Sequence, residues 1–391
     1  MKHSGINVAF CENGAGYGGA IISLAAFLQK IPELFSPHIY TGIGTEEYQQ
    51  LSQLGQWRHL PPAPLFDTAT LKNRSIPFAS MLDNFCNVAP YSWRFYRRFK
   101  RDKIGIVYLN NDPSCNLAAA LAGRLAGLPI ILHARGFSAD TRGNRWVLSI
   151  IDHCIAVSNA IKTQLIELGL PAEKCIVVPE GLDMNLFCPR RPSERLLREF
   201  GFSDSDPVIT LVGGLIDWKG QDVLLDACPT IFNEYPNARV LLVGSAYGKD
   251  DHFANMIAKR VTSPPLCGNV HLLGARKDIP EILSISSVVL HTSTKPEPFG
   301  RTFLEGMAMG KPVIASNEGG PPEVIEHEID GLLIQPRDPH GLATAICRLL
   351  ADPLLRESLG KNAAIKATRY SIENHSIAIS QVLHRAVMQD A

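Results

Sequence analysis

Two Rossmann-like α/β domains facing one another across a cleft are the fold the sequence predicts. Three observations predict it. Short β-rich apolar runs alternate with longer helical patterns, which is how parallel sheets covered by helices read in sequence. The alternation stops once, in a polar and proline-containing stretch near the middle, and then resumes with the same scheme. The chain has 391 residues, 46% apolar and 19% charged, which is enough for two to three globular domains and unlike a disordered chain.

The strand-like runs of the first half are Ile6–Phe10, His38–Tyr40, Ile104–Leu109, Ile130–His133, His153–Val157 and Cys175–Val178. Those of the second half are Val208–Val212, Arg239–Val243, Val270–Leu273, Val288–His291 and Val313–Ala315. Between them, Cys188–Ser205 carries Pro189 and Pro192 and no strand pattern, so it reads as a linker with a short helix. Ile372–Met388 is an amphipathic helix with no strand after it. The expected organisation is a first domain over 1–188, a linker over 189–206, a second domain over 207–371 and a C-terminal helix over 372–391.

Charge and cysteine usage exclude several classes. Lys+Arg and Asp+Glu are 38 each, so the strong basic excess of a general nucleic-acid binder is missing and no nucleic-acid partner is expected. The nine cysteines are odd in number, widely spread and without a Cys-x-x-Cys pair, which predicts neither a disulfide framework nor a zinc site. Met1–Phe10 has no long apolar run of the signal-peptide kind. Leu117–Ala134 is broken by Arg124, Gly127 and Pro129, so it reads as helix, turn and strand rather than a membrane span. A cytoplasmic protein is the expectation.

Gly14-Ala15-Gly16-Tyr17-Gly18-Gly19 follows the first strand and opens a helix. Glycines there permit a tight turn and bring a ligand close to backbone amides at a positive helix end. A dinucleotide site also needs an acidic residue ending the second strand. That strand ends Ile39-Tyr40-Thr41-Gly42, so a nicotinamide enzyme is disfavoured.

The sharpest motif is Thr294-Lys295-Pro296-Glu297-Pro298-Phe299-Gly300-Arg301-Thr302-Phe303-Leu304-Glu305-Gly306. A strand ends near Thr294, a Pro/Gly loop carries Glu297, and a helix holding Glu305 begins around Gly300–Arg301. Unpaired amides at that helix end suit a diphosphate, and carboxylates accept paired hydrogen bonds from vicinal hydroxyls. From spacing alone, two solvated glutamates around an ordinary loop would look the same. The next stretches of the chain are equally specific: Met307-Ala308-Met309-Gly310-Lys311-Pro312-Val313-Ile314-Ala315, Gly319-Gly320-Pro321-Pro322-Glu323-Val324 and Asp330-Gly331-Leu332-Leu333. Upstream stand Val212-Gly213-Gly214-Leu215 with Lys219-Gly220, Val177-Val178-Pro179-Glu180-Gly181-Leu182-Asp183, and His133-Ala134-Arg135-Gly136.

Together these stretches resemble the retaining glycosyltransferases of family four, whose fold is GT-B. The resemblance is specific in the C-terminal half and looser before residue 130. It implies that Glu305 holds the ribose hydroxyls of a nucleotide, and that Glu297 contacts the donor sugar beside Phe299 and Gly300. It further implies that Lys219 neutralises the diphosphate near Arg301 and Thr302. The loop Gly274–Ile279, with Arg276, Lys277 and Ile279, would receive the base. His133 would lie near the transferred sugar, and Gly16 and Gly18 would close over phosphates or acceptor. On this reading Glu297, His133 and Lys219 are the catalytic candidates. The family usually has Arg where Gly214 stands; Arg276, Lys277, Arg301 and Arg135 are the candidates to compensate. Glu180 stands where the family commonly has Asn and reads as a local turn-former.

No metal is expected. Asp204-Ser205-Asp206 precedes Pro207 at the start of a strand, where such residues form turns. Tyr91-Ser92-Trp93-Arg94-Phe95-Tyr96-Arg97-Arg98-Phe99-Lys100-Arg101 places Tyr91, Phe95 and Phe99 on one helical stripe with arginines beside it. That segment fits either an anionic membrane surface or a core-facing stripe with solvated arginines. The expected activity is retaining, metal-independent transfer of a sugar from a nucleotide-diphosphate sugar, UDP- or GDP-linked, to a hydroxyl of a glycan or lipid-linked acceptor. No further cofactor is expected, and the expected location is the cytoplasm, with the inner membrane face as an extension of it. The alternatives are a sugar-nucleotide epimerase of the same fold and an inactive sugar-nucleotide-binding module.

Overall fold

The computed structural model describes residues 5–14, 18–62, 84–246 and 252–388. Two compact units result, one of Met1–Gly181 with Ile372–Ala391 and one of Leu182–Ser371. The fold is two Rossmann-like parallel sheets, of seven and six strands.

In the first unit the strands are β1 (Ile6–Glu12), β2 (Phe35–Thr41), β3 (Gln56–His59), β4 (Ile106–Asn110), β5 (Ile130–Ala134), β6 (His153–Ala156) and β7 (Cys175–Val177). They pair in parallel in the order β3-β2-β1-β4-β5-β6-β7. β4 and β5 are buried at every position, which is why both read as unbroken apolar runs rather than alternating ones. Phe10, Phe27 and Tyr108 pack against one another at 5.0 to 6.5 Å between ring centres. The C-terminal helix Ile372–Met388 completes this core, burying Ile379, Val382, Leu383 and Ala386 in the same cluster as Val8, Phe10 and Ile106. Fully burying Ile379, Val382 and Leu383 contributes about 1.5–3 kcal/mol each, so the helix is a structural member of the first unit. The strand order turns back between β1 and β4. Open parallel sheets bind ligands outside the carboxyl ends at such a reversal, and here those ends carry Glu12 and Asn110.

The second unit contains β8 (Val208–Val212), β9 (Arg239–Val243), β10 (Val270–Gly274), β11 (Val288–His291), β12 (Val313–Ser316) and β13 (Leu332–Ile334). Their order is β10-β9-β8-β11-β12-β13, again wholly parallel, with the reversal between β8 and β11. Side-chain caps start several helices: Ser193 accepts from Leu196 N, Asp338 from Gly341 N and Asp352 from Leu355 N. The segment expected as a linker includes the helix Glu194–Phe200. Leu196, Leu197 and Phe202 pack with Val208, Leu241 and Ile282, so this stretch belongs to the second unit and the division falls between Gly181 and Leu182. Asp206 accepts from Ser203 N at 3.0 Å and from Asn237 at 3.2 Å, a turn at the start of β8.

The helix Ala89–Arg101 turns Phe95 and Phe99 inward against Tyr40, at 6.1 and 5.7 Å. Tyr91 donates its hydroxyl to Leu60 O at 2.6 Å, Arg94 reaches Pro61 O, and Arg98 pairs with Asp102. The outer face presents Trp93, Arg97, Lys100 and Arg101. Among the described residues no helix is long and apolar enough to cross a membrane.

Candidate functional site

The carboxyl ends of β8 and β11 assemble the larger cluster of sequence-predicted residues. After β8 the chain runs through Gly213 and Gly214 to Lys219, and after β11 through His291, Thr292 and Ser293 to Glu297. Three donors converge on one oxygen of Glu297: Lys219 Nζ at 2.6 Å, Ser293 Oγ at 2.8 Å and His291 Nε2 at 3.2 Å, all to Oε2. None of these bonds involves Oε1. Burial alone would raise the Glu297 pKa, but Lys219 and His291 outweigh it and hold the carboxyl well below the usual carboxylate range. Glu297 is therefore an ionised, nearly buried carboxylate with one oxygen saturated. Lys219 also sits 4.0 Å above the Trp218 ring, which fixes its stem from the other side.

The loop carrying Glu297 is clipped rather than loose. Gly320 N donates to Glu297 O at 2.8 Å, and a side chain on Gly319, at φ +76°, would run into that same carbonyl. The loop ends at Gly300, whose φ of +98° an L side chain resists; a Cβ there would lie 2.7 Å from the Phe303 ring and 2.9 Å from His291 Nε2. The helix Arg301–Ala308 begins immediately after, so its unpaired amides open beside His291, whose Nδ1 lies 2.9 Å from Thr302 Oγ1. Phe299 is buried between Phe303 and Tyr370. Glu305, one turn inside the helix, is buried with the Arg301 guanidinium 4.0 Å away. Burial pushes its pKa up to about 7 against a small opposing pull from Arg301. Of these two glutamates eight residues apart, one is thus ionised at neutrality while the other titrates there.

The other predicted residues are less uniform. Gly214 accepts from Gln221 at 2.8 Å through its carbonyl, and Ile279 starts the helix Ile279–Ile285. Lys277 is exposed. Arg276 was a candidate replacement for the missing cation, but its guanidinium is held by Asp278 at 2.7 and 2.8 Å and by Glu199 at 2.9 Å. With all three nitrogens committed to carboxylates, it is part of a surface ion-pair cluster with Arg195. Gly16 lies outside the described residues. Gly18 caps the helix Gly19–Leu28 with its carbonyl.

In the first unit, His133 and Arg135 enter a buried polar chain at the carboxyl ends of β1, β4 and β5. Glu12 accepts from Gly14 N at 2.7 Å and from Asn110. Asn110 Oδ1 accepts from Arg135 Nε at 2.7 Å, and Arg135 pairs with Glu180 at 2.6 Å. Glu180 accepts in turn from Ser23, on the helix after the glycine-rich turn. The chain therefore ties together residues on both sides of that turn, Gly14 and Ser23. Glu180 is an ion-pair partner, not the turn-former the sequence implied. Sequence reasoning also missed His291, Ser293, Glu12 and Asn110. Each ends or follows a strand, and only that position at a sheet reversal marks them. His133 is fully buried, and burial followed by the charge of Arg135 lowers its pKa well below the ordinary histidine value.

The likeness to known proteins agrees with this geometry. Residues 18–186 match the family described as Glycosyltransferase Family 4, and residues 193–366 match Glycosyl transferases group 1. Spore coat protein SA of Bacillus subtilis (strain 168) is 32% identical over 208 residues, 48% of this chain and 52% of that protein. N-acetyl-alpha-D-glucosaminyl L-malate synthase of Bacillus anthracis is 26% identical over 338 residues, 82% of this chain and 87% of that one. The chain spans about half the length of several curated relatives it matches, 49% to 56%. Among solved structures, HepE of Anabaena in complex with UDP shares the fold at a TM-score of 0.81 and 24% identity, over 97% of this chain and 100% of that one. With each half matched to a glycosyltransferase family and both sheets matched to GT-B structures, the chain belongs to the family-four type of glycosyltransferase and has the GT-B fold.

Proposed function

We propose that the protein transfers a sugar from a nucleoside-diphosphate sugar to a hydroxyl acceptor, with retention of anomeric configuration. The observation that carries this is the state of Glu297: ionised, with Oε2 saturated by Lys219, Ser293 and His291 and with Oε1 engaged by none of them. Such a carboxylate is a rigid acceptor for sugar hydroxyls. The adjacent helix end supplies amides for the diphosphate, with Lys219 as the cation, and Glu305 takes the ribose. The bond from the anomeric carbon to the diphosphate oxygen breaks, the acceptor oxygen bonds to that carbon on the same face, and the acceptor proton passes to the departing diphosphate. Charge on the leaving group is stabilised by fixed donors, so the chemistry needs no metal. The family membership supports sugar transfer as the reaction class.

For the acceptor we infer a lipid-linked or cell-envelope glycan reached at an anionic surface. The support is the outward face of the helix Ala89–Arg101, where Trp93 stands 56% exposed beside Arg97, Lys100 and Arg101.

A thermal-shift panel of UDP-, GDP-, ADP- and TDP-sugars tests the donor. At 100 times its dissociation constant the true donor raises stability by about 2.7 kcal/mol. The product is then analysed for anomeric configuration, with and without chelator. An inverted product, or activity lost to chelator and restored by manganese, overturns the mechanism; a panel with no stabilising nucleotide sugar overturns the donor class.

A further inference from the structure

His133 has two ring nitrogens in different situations. Nδ1 faces the Tyr108 hydroxyl and, at 3.2 Å, Nη2 of Arg135. A guanidinium has donors only, so Nδ1 must present a lone pair, and in the neutral ring the proton resides on Nε2. Nε2 is buried and has no hydrogen-bond partner among the described residues. The tautomer is thus dictated by the groups around Nδ1.

Those groups are themselves held. The three nitrogens of Arg135 are each assigned: Nε to Asn110 Oδ1 at 2.7 Å, Nη1 to Glu180 Oε1 at 2.6 Å, and Nη2 to His133. Glu180 is anchored by Ser23 through its other oxygen. The planar fork permits the third contact only while the first two fix its plane. A further neighbour is His375, its ring 6.0 Å from that of His133. Its Nδ1 lies 2.6 Å from Pro179 O, an acceptor only, so that histidine keeps its proton on Nδ1.

We propose that Glu180 and Arg135 are positioning residues: they hold His133 as the neutral tautomer protonated on Nε2 and so make it a hydrogen-bond donor to a substrate oxygen at the carboxyl edge of the first sheet. This rests on the sugar-transfer reading for the identity of that oxygen, a sugar hydroxyl. His133 then acts by donating a hydrogen bond, and it transfers no proton. The burial of the ring and the adjacent Arg135 charge, which both disfavour the imidazolium, agree with this.

The test is long-range proton–nitrogen NMR of the full-length protein with labelled histidine, between pH 5.5 and 8.5, the His133 signals being identified by their loss in His133→Gln. The expected spectrum is that of a neutral ring protonated on Nε2, unchanged across the range. In Glu180→Gln, which keeps the shape but removes the charge holding Arg135, a second tautomer or a titrating His133 appears. In the same variant kcat falls by roughly 100-fold while the donor KM stays within about twofold, as expected for a misplaced rather than missing contact. Tyr108→Phe, which leaves the Arg135 contact in place, retains the Nε2–H tautomer. A wild-type His133 that is protonated on Nδ1, or that titrates like an ordinary histidine, overturns the assignment without any variant having to fold. A wild-type-like His133 spectrum in Glu180→Gln overturns the role of Glu180. An intact tautomer lock in a protein that transfers no sugar supports the clamp and removes the sugar-transfer reading alone.

Discussion

Glu297 is ionised at neutral pH whereas Glu305 titrates near it, and that difference is measurable. Ribose hydroxyls donate to a carboxylate better than to a carboxylic acid, so nucleotide binding favours ionised Glu305. With a pKa of about 7, affinity for the intact nucleotide sugar rises between pH 6 and 8, by at most about tenfold per unit below the pKa. Titration calorimetry across that range checks the slope, and Glu305→Gln flattens it. The same shift has a stability consequence of opposite sign. The folded state holds the Glu305 proton more tightly than the unfolded chain does, so stability without ligand falls as pH rises from 4.5 towards 7. The full gap corresponds to roughly 3 kcal/mol. Glu297 behaves in reverse: its depressed pKa contributes stability above the ordinary carboxylate range that is lost on acidification. Substitution separates the two further. Glu305→Ala weakens binding of the bare nucleoside diphosphate, by about 1.5–3 kcal/mol for lost charged hydrogen bonds, whereas Glu297→Ala chiefly lowers turnover of the intact sugar nucleotide. Equal losses in bare-nucleotide affinity in both variants would remove the division of labour.

Among elements, the helix Ala89–Arg101 has the core-facing aromatic stripe that one sequence reading gave it, and its outward cations are where the membrane reading is to be tested. Its aromatic stripe is core, while Arg97, Lys100 and Arg101 point outward with Trp93. Arg94 and Arg98 are occupied by Pro61 O and Asp102, so they are the wrong residues to probe. Changing Arg97, Lys100 and Arg101 together to Gln is expected to reduce sedimentation with anionic vesicles, each charge contributing about 1 kcal/mol near such a surface, and to leave nucleotide affinity unchanged. Equal vesicle binding by wild type and variant refutes the surface role. The elements also show what sequence can carry. β8, β9 and β11 match their apolar runs end to end because central parallel strands are buried on both faces. β3 (Gln56–His59) was missed because it is a polar edge strand, with Gln56 and His59 exposed, and β13 because three residues carry no period. The motif around Glu297 was legible because glycine and proline punctuate it. His291, Ser293 and Glu180 were not, since their roles depend on which strand ends meet, and a single residue type has no period to reveal that.

For the molecule as a whole, the telling feature is the return of the helix Ile372–Met388 to the first unit. Residues 182–371 form a second unit with its own clusters of buried apolar residues, while the first unit draws Ile379, Val382, Leu383 and Ala386 from beyond it. Removing residues 372–391 is expected to unfold or melt the first unit while the second keeps its fold and the proposed nucleotide site. Losing several buried aliphatic side chains, at about 2–5 kcal/mol each, exceeds the marginal stability of a domain. Pulse proteolysis with nucleotide protection reads both halves in one experiment, and a truncated protein whose first unit resists protease as well as wild type would contradict this. The same topology has a consequence for synthesis. Chains leave the ribosome N-terminus first, and domains usually fold in that order. Here the order is inverted: the second unit is complete in sequence before the first has received its last core segment. A nascent chain stalled with residue 371 just outside the exit tunnel carries a finished C-terminal unit and an N-terminal sheet with part of its apolar face still uncovered, so chaperone capture during translation is expected to fall on residues 1–181 and to end as residues 372–388 emerge.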